Sequence, residues 1–354
     1  MITVTHQPSS PVFTSALDTF SFRIGGDSAT VTISCGGEEL LSETYYPVSG
    51  IITIYDLGTL IADAARRTVV ATCQISIAEL TGGSQSDSWS NTFTVYYSTV
   101  DVNMSCQAFL DSYFLTLLDG AKLTQLGHRE YLHAAGSDCS TPQVVARYYD
   151  GTSQVVTATM ATDATSVRTV NGITTFDVSP DRYYDESKGS LFAYTVTVGK
   201  RVQEYQIDHT KAVADPVLLF TNSFGCQEIF YCLGRKKIAP TFERKQAVIS
   251  GKRVNYSVKE TRTFEGDTGI IPPSMAHCAE DLLRSDEIYL FREYVQDKEI
   301  TFTDSKSERT NEDDDLAEFT FSYQYAQRVQ NVIFKNSENT GGRIFDDSFD
   351  DTFN

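Results

Sequence analysis

Hydrophobic and polar positions alternate over short stretches along most of the chain, and turn residues interrupt them at close intervals. In the first hundred residues the β-rich runs are Thr19 to Ile24, Ala29 to Cys35, Leu40 to Tyr46, Ile51 to Ile54, Thr68 to Ile77 and Ser90 to Tyr97. Gly25-Gly26-Asp27, Gly36-Gly37 and the Pro47 to Gly50 turn separate the earlier runs in the rhythm of a meander of hairpins. One amphipathic stretch, Asp56 to Arg66, has helical spacing. About seven short strands with one helix at an edge predict an immunoglobulin-like β-sandwich over 1–100.

The same layout recurs further on. Val144 to Tyr149, Asp150-Gly151, Gln154 to Met160, Asn171-Gly172 and Ile173 to Val178 repeat the order strand, glycine turn, strand, glycine turn, strand. Val48-Ser49-Gly50-Ile51 through Asp56-Leu57 resembles Val170-Asn171-Gly172-Ile173 through Asp177-Val178, so a second β-sandwich over 101–212, arisen by duplication, is predicted. Inside it, apolar Phe109 to Gln125 reads as a strand pair turning at Asp119-Gly120, a good hairpin dipeptide.

From 213 to 329 the texture changes. Pro216 to Phe220 and Glu228 to Leu233 read as a hairpin buried on both faces. Between Gln246 and Phe264, Val248, Val254, Tyr256 and Val258 occupy even positions and Ser257, Lys259 and Thr261 odd ones, which describes strands with one wet face. Ser274 is the expected N-cap of a helix over 274–284. Glu287 to Phe291, Glu299 to Phe302 and Leu316 to Tyr325 supply further strands, giving an antiparallel β domain with one helix. The fold class is therefore mainly β: tandem immunoglobulin-like sandwich modules, an antiparallel-sheet domain with one helix, and an extended C-terminal arm.

That arm, 330–354, loses periodicity and gains acidic letters. Phe345, Phe349 and Phe353 recur every four residues, with Asp346, Asp347, Asp350 and Asp351 between them. An aromatic anchor in each repeat predicts a subunit interface in which these seven residues dock on a neighbouring copy; a disordered acidic tail is the alternative.

Composition narrows the partners. The chain has 354 residues, 41% of them apolar, and 29 Lys and Arg against 47 Asp and Glu give a net charge of −18. Such a chain repels phosphate backbones, so no nucleic acid is expected. The opening Met1 to Phe13 lacks the basic and apolar regions of a secretory signal, and no 18 apolar residues run together, so no membrane is expected either. Seven scattered cysteines read as buried thiols, and Cys226 and Cys232, six apart, miss the spacing of a zinc pair.

The usual chemical motifs are missing. There is no Walker loop, dinucleotide glycine fingerprint, His-Glu-x-x-His or Gly-x-Ser-x-Gly, so no catalytic residue, cofactor or metal ligand is assigned. His128 and His133, five apart, do not aim at one metal from either a strand or a helix, and Asp208-His209 carries little information without a defined serine; polar loop histidines are expected. Glu312-Asp313-Asp314-Asp315 misses the calcium-loop pattern and reads as a solvated turn. The basic clusters Arg235-Lys236-Lys237, Arg244-Lys245 and Lys252-Arg253 read as a solvated face or as the complement of a neighbouring copy's acidic arm.

Several segments together carry a resemblance. Leu219 to Gly234, Leu282 to Leu290, Phe319 to Ala326 and the closing Phe345 to Phe353 resemble virion tail or baseplate proteins of phages and prophages of Bacteroides-type gut bacteria. Gly36 to Leu60, with its Tyr-Tyr-Pro corner and Gly-Ile-Ile-Thr-Ile-Tyr-Asp-Leu, is similar to their opening domain. The resemblance implies a structural subunit of a tail, baseplate or head-to-tail connector that forms a ring with itself and other phage tail proteins. It implies a virion location after assembly in the bacterial host cytoplasm, and no enzyme activity. The alternative is a receptor-binding module gripping host surface glycan through Tyr148, Tyr149, Tyr183 and Tyr184; a glycan depolymerase using two carboxylates is a third reading.

Overall fold

A computed structural model describes residues 1–136, 138–139, 141–151, 155–161, 166–307 and 317–327. The chain is mainly β: two sandwiches are followed by an antiparallel sheet that carries a helix.

The first module contains β1 (Thr3–His6), β2 (Val12–Phe13), β3 (Phe20–Arg23), β4 (Ser28–Cys35), β5 (Glu38–Tyr45), β6 (Ile51–Ile54), α1 (Leu57–Arg66), β7 (Val70–Thr81) and β8 (Ser84–Tyr96). A three-stranded sheet, β1-β3-β6, packs against a five-stranded one, β2-β8-β7-β4-β5. The period-2 pattern explains the core. Val31, Ile33 and Cys35 of β4 and Cys73, Ile75 and Ile77 of β7 point inward to meet Phe20, Phe22, Ile52 and Ile54 of the other sheet. Each large side chain buried this way contributes about 1.5 to 3 kcal/mol. Helix α1 adds Leu57, Ile61, Ala64 and Ala65 to the same core, one face of a 3.6-residue period.

The second module contains α2 (Cys106–Ser112), β9 (Lys122–Thr124), β10 (Tyr131–Ala135), β11 (Gln143–Tyr149), β12 (Val155–Ala161), β13 (Val167–Val170), β14 (Ile173–Asp177), β15 (Ser190–Val198) and β16 (Arg201–Ile207). Its sheets are β10-β14-β13 and β12-β11-β15-β16-β9. Seven strands of each module match in order. β2 to β8 correspond in order and pairing to β9, β10, β11, β12, β14, β15 and β16, and in each module the first of these runs parallel to the last. The letter match between 48–57 and 170–178 falls on the equivalent strands β6 and β14. Each follows a turn with positive φ at both residues, Ser49-Gly50 and Asn171-Gly172. The expected strand pair over Phe109 to Gln125 is replaced by α2, a loop and the short β9. Ser105 caps α2 by accepting from the Ala108 amide, and Cys106, Phe109 and Leu110 are buried at helical spacing, which the apolar content alone did not distinguish from a strand.

The third module contains β17 (Val217–Thr221), β18 (Gln227–Tyr231), β19 (Lys237–Ile249), β20 (Lys252–Asp267), α3 (Pro273–Arg284), β21 (Ile288–Arg292), β22 (Val295–Ser307) and β23 (Phe319–Tyr325). They form one seven-stranded sheet, β18-β17-β21-β22-β23-β20-β19, and α3 packs Met275, Ala276, Ala279 and Leu282 into its core. The helix begins one residue earlier than expected. Pro273 occupies its first turn, where a missing N–H costs nothing, and Ser274 donates its hydroxyl to the Ala121 carbonyl instead of capping. A fourth apolar cluster joins the modules: Phe13 of β2, Phe109 of α2 and Phe224 of the β17–β18 turn lie 5.2 to 6.0 Å apart by ring centroids, with Ala135 and Ile173 beside them.

Candidate functional site

The β19–β20 hairpin is exposed over most of its length. Its turn is Ser250-Gly251, both with positive φ (50° and 74°), the backbone that two-residue hairpin turns favour. Among the described residues only Phe264 to Asp267 of β20 pair with β23; beyond that base the two strands pair only with each other, and no described strand lies on the outer edge of β19. The alternation read in the sequence is real, but the expectation of one dry and one wet face is corrected, because both faces of the hairpin are solvated over most of its length.

Register defines the two faces. Phe242 pairs with Glu260 and Arg244 with Val258; after the bulge at Lys245/Gln246, Ala247 pairs with Val254 and Ile249 with Lys252. Partners in an antiparallel ladder share a face, so Ile238, Phe242, Ile249, Val254, Tyr256 and Val258 lie together. Every one is exposed, Tyr256 to 63% and Phe242 to 46%. The bulge sends Val248 to the opposite face with Arg253, which the simple even-position count had placed with the apolar set. Arg244 stacks over the Phe242 ring at 5.4 Å. From 237 to 263 there are seven Lys or Arg against two Glu, a net +5 within a chain of −18.

A second, buried cluster of polar groups sits where the second and third modules meet. Lys122 of β9 donates to Glu130 at 2.6 Å and to the Ile229 carbonyl at 3.2 Å, and Thr124 donates to the other Glu130 oxygen at 2.8 Å. Burial depresses the Lys122 ammonium, but the neighbouring Glu130 carboxylate outweighs it and holds the lysine protonated. Nearby, Glu228 accepts from the Asn222 side-chain amide at 2.5 Å and from the Cys278 thiol at 3.4 Å. Burial raises Glu228, as it raises Asp281, which accepts from the Ser223 amide at 3.0 Å and from its hydroxyl. Each of these groups is fixed by protein partners, an arrangement that locks two modules together.

The residues singled out from sequence fall in several places. Phe345, Phe349, Phe353, Asp346, Asp347, Asp350 and Asp351 lie outside the described residues, as does Glu312 to Asp315. Of the basic clusters, Lys236 pairs with Asp215 at 2.6 Å at the hairpin base, Lys237 pairs with Glu265 at 2.9 Å, and Arg244, Lys245, Lys252 and Arg253 ride on the hairpin itself. Tyr148 and Tyr183 are not surface residues: both are buried in the second core, with the Tyr148 hydroxyl donating to the Tyr183 carbonyl. Only Tyr149 and Tyr184 of that set are exposed, and Tyr149 stacks on Phe192 at 4.2 Å.

The histidine expectation is corrected in part. His133 lies in β10, bonded to Thr175 at 3.0 Å and to the Gln227 carbonyl at 2.8 Å. His128, in the preceding turn, stacks on Tyr231 at 3.6 Å between centroids, and burial with the Lys122 charge pushes its pKa down to about 4. Asp208 caps its own turn through Thr210 and accepts from Gln125. Six cysteines are buried and Cys139 is half-buried, all as free thiols. Among the described residues no three potential ligands gather as a metal site, and no helix is long and apolar enough to cross a membrane.

No family model and no curated protein matches the chain. Among solved structures, the full extracellular region of plexin A4, domains 1 to 8, aligns with 93% of this chain and 36% of its own length, at 9% identity and a TM-score of 0.21. The chain thus spans about a third of that neighbour, at a similarity too low to bear on fold or function.

Proposed function

We propose that the chain is a non-enzymatic structural subunit of a phage virion tail, baseplate or head-to-tail connector. It assembles into a ring with itself and with neighbouring tail proteins inside the bacterial host. The hairpin carries this reading: a chain that holds six apolar side chains on one solvated face, on an element that has no partner strand beyond its base among the described residues, presents a surface for another protein. The fixed junction between modules supports it, because a ring subunit must hold its interfaces at set angles. In the assembled particle the C-terminal segment 343–354 packs against another chain through Phe345, Phe349 and Phe353. Burial of Tyr148 and Tyr183 takes two of the four aromatic faces from the glycan-binding reading and favours assembly over it.

Light scattering across a wide concentration range, with imaging of intact particles, tests the proposal. Defined oligomers and presence in purified virions are expected. A chain that stays monomeric at every concentration and is absent from particles overturns it.

A further inference from the structure

The hairpin and the C-terminal segment are complementary in pattern, charge and length. The hairpin offers an apolar face edged with cations: Arg244 and Lys252 share the face of Phe242 and Tyr256, while Lys245, Arg253 and Lys259 occupy the other. Beside them runs the open edge of β19, thirteen residues long, with Pro240 the one position that has no N–H to offer. In the sequence 343–354, twelve residues long, Phe345, Phe349 and Phe353 are all separated by even numbers. As a strand, such a segment places the three phenylalanines on one face with Asp347 and Asp351, and Asp346 and Asp350 on the other. Each face of the segment would then present acids to a hairpin face that presents bases.

We propose that residues 343–354 of a second copy of this chain add as a strand along the open edge of β19, laying Phe345, Phe349 and Phe353 beside Ile238, Phe242 and Ile249 on the face that Tyr256 and Val258 of β20 continue. Main-chain hydrogen bonds to the open edge supply affinity, and the aromatic contacts with the flanking charges fix register and direction. The inference rests on the assembly reading above and names the surface through which assembly proceeds.

The test uses a dye-labelled peptide of residues 343–354 and the full chain carrying Phe345→Ser, Phe349→Ser and Phe353→Ser, so that the chain's own segment does not compete. Fluorescence anisotropy should show binding that weakens with added salt. Adding Phe242→Ser with Tyr256→Ser to the receptor chain, or Arg244→Glu with Lys252→Glu, should weaken it at least tenfold at an unchanged melting temperature, since these side chains are exposed. A peptide with its three phenylalanines replaced by serine should not bind. Equal binding by the hairpin variants, or no binding at all, overturns the proposal. So does an unsubstituted full chain that is monomeric yet refuses the peptide, because its hairpin is then covered by its own segment. Light scattering separates the two readings: if the chain oligomerises and the hairpin variants oligomerise equally well, this inference fails and the structural-subunit reading stands.

Discussion

Lys122 and Glu130 face each other at 2.6 Å with almost no exposure to solvent, and together they tie β9 to the residues entering β10 and, through the Ile229 carbonyl, to β18. A buried pair of this kind adds little over an apolar pair of the same shape, but removing one partner leaves an uncompensated charge in a medium of low polarity. Lys122→Met should therefore cost about 3 to 5 kcal/mol, and Lys122→Met with Glu130→Leu should recover much of that loss. Denaturant unfolding followed by circular dichroism measures both; a single variant as stable as the parent would contradict the ion pair.

The His128 imidazole gives the fold an acid-sensitive contribution. Its pKa in the folded chain is about 4, below the ordinary 6.5, because burial and the nearby Lys122 ammonium disfavour the imidazolium. Between those values the unfolded state binds the extra proton, so stability contributed by the neutral ring is complete above pH 6.5 and falls as pH drops toward 4. The loss is on the order of 3 kcal/mol, from about 1.4 kcal/mol per pKa unit. His133, lowered by burial, acts in the same direction, while Glu228 and Asp281, raised by burial, act in the opposite one. The decisive measurement is therefore a difference: His128→Gln should be less stable than the parent at pH 7 and lose that disadvantage by pH 4. A gap that stays constant with pH would show that His128 does not titrate as described.

Arg201 makes a different kind of lock. Its guanidinium, fully buried, donates to the carbonyls of Leu110, Ala135 at 2.8 Å and Asp138 at 2.9 Å, gathering the end of α2, the end of β10 and the loop that follows. Arg201→Met should destabilise by about 3 kcal/mol, since it leaves the buried Leu110 and Ala135 carbonyls short of a donor and frees the Asp138 loop. Arg201→Lys should restore only part, because an ammonium is a point charge and lacks the planar fork that reaches all three. Full rescue by lysine would mean that charge alone matters here.

How much of this was legible in the sequence follows from what each residue touches. The strands of the first sandwich could be read because their partners lie nearby in sequence and the inward positions are uniformly apolar, as in Val31, Ile33 and Cys35. The duplication could be glimpsed because the matched letters sit on turn positions where positive φ restricts the choice of residue. Lys122, Glu130 and Arg201 could not, since a buried charge looks like a surface charge until its partner, eight to ninety-one residues away, is known. The hairpin was half legible. Alternation shows that one face is apolar, but whether that face is covered depends on the rest of the sheet, and the Ser250-Gly251 turn lies inside an apparently continuous run. Glu228 and Asp281 carried no local signal at all.

The seven thiols offer a chemical check on burial. Cys35 and Cys73 stand opposite each other across β4 and β7, each no more than 1% exposed, and Cys106, Cys226, Cys232 and Cys278 are likewise buried. Cys139 is half-buried. A thiol reagent should therefore titrate one group quickly in the folded chain and all seven after denaturation, and Cys139→Ser should abolish the fast phase. Fast reaction of two or more groups would show that a core opens readily.

The last prediction concerns the junction of the three modules. Phe224 is fully buried and touches Phe13 at 6.0 Å and Phe109 at 5.2 Å between ring centroids, so each module supplies one ring to a single cluster. The turn that delivers it depends on Gly225, whose φ of +75° suits glycine and whose α-carbon faces the Tyr97 ring at a distance where a side chain would crowd it. Around the cluster, Thr99 donates its amide to the Ser223 carbonyl at 2.9 Å, and Arg66 grips Asp286 by two parallel hydrogen bonds of 2.6 and 2.8 Å. The Arg66 pair is partly exposed and contributes little by itself, whereas Phe224→Ala removes a whole ring from a packed site and should cost about 3 to 5 kcal/mol. Because the ring belongs to no one module's own core, the loss should appear as independent motion of the modules before it appears as unfolding: a larger radius of gyration by small-angle scattering and new protease cleavage between Tyr97 and Ser105, with circular dichroism little changed. Arg66→Ala should leave both readouts close to the parent. If Phe224→Ala instead lowers the melting temperature with no change in radius or cleavage, the cluster is part of one continuous core and the modules do not move separately.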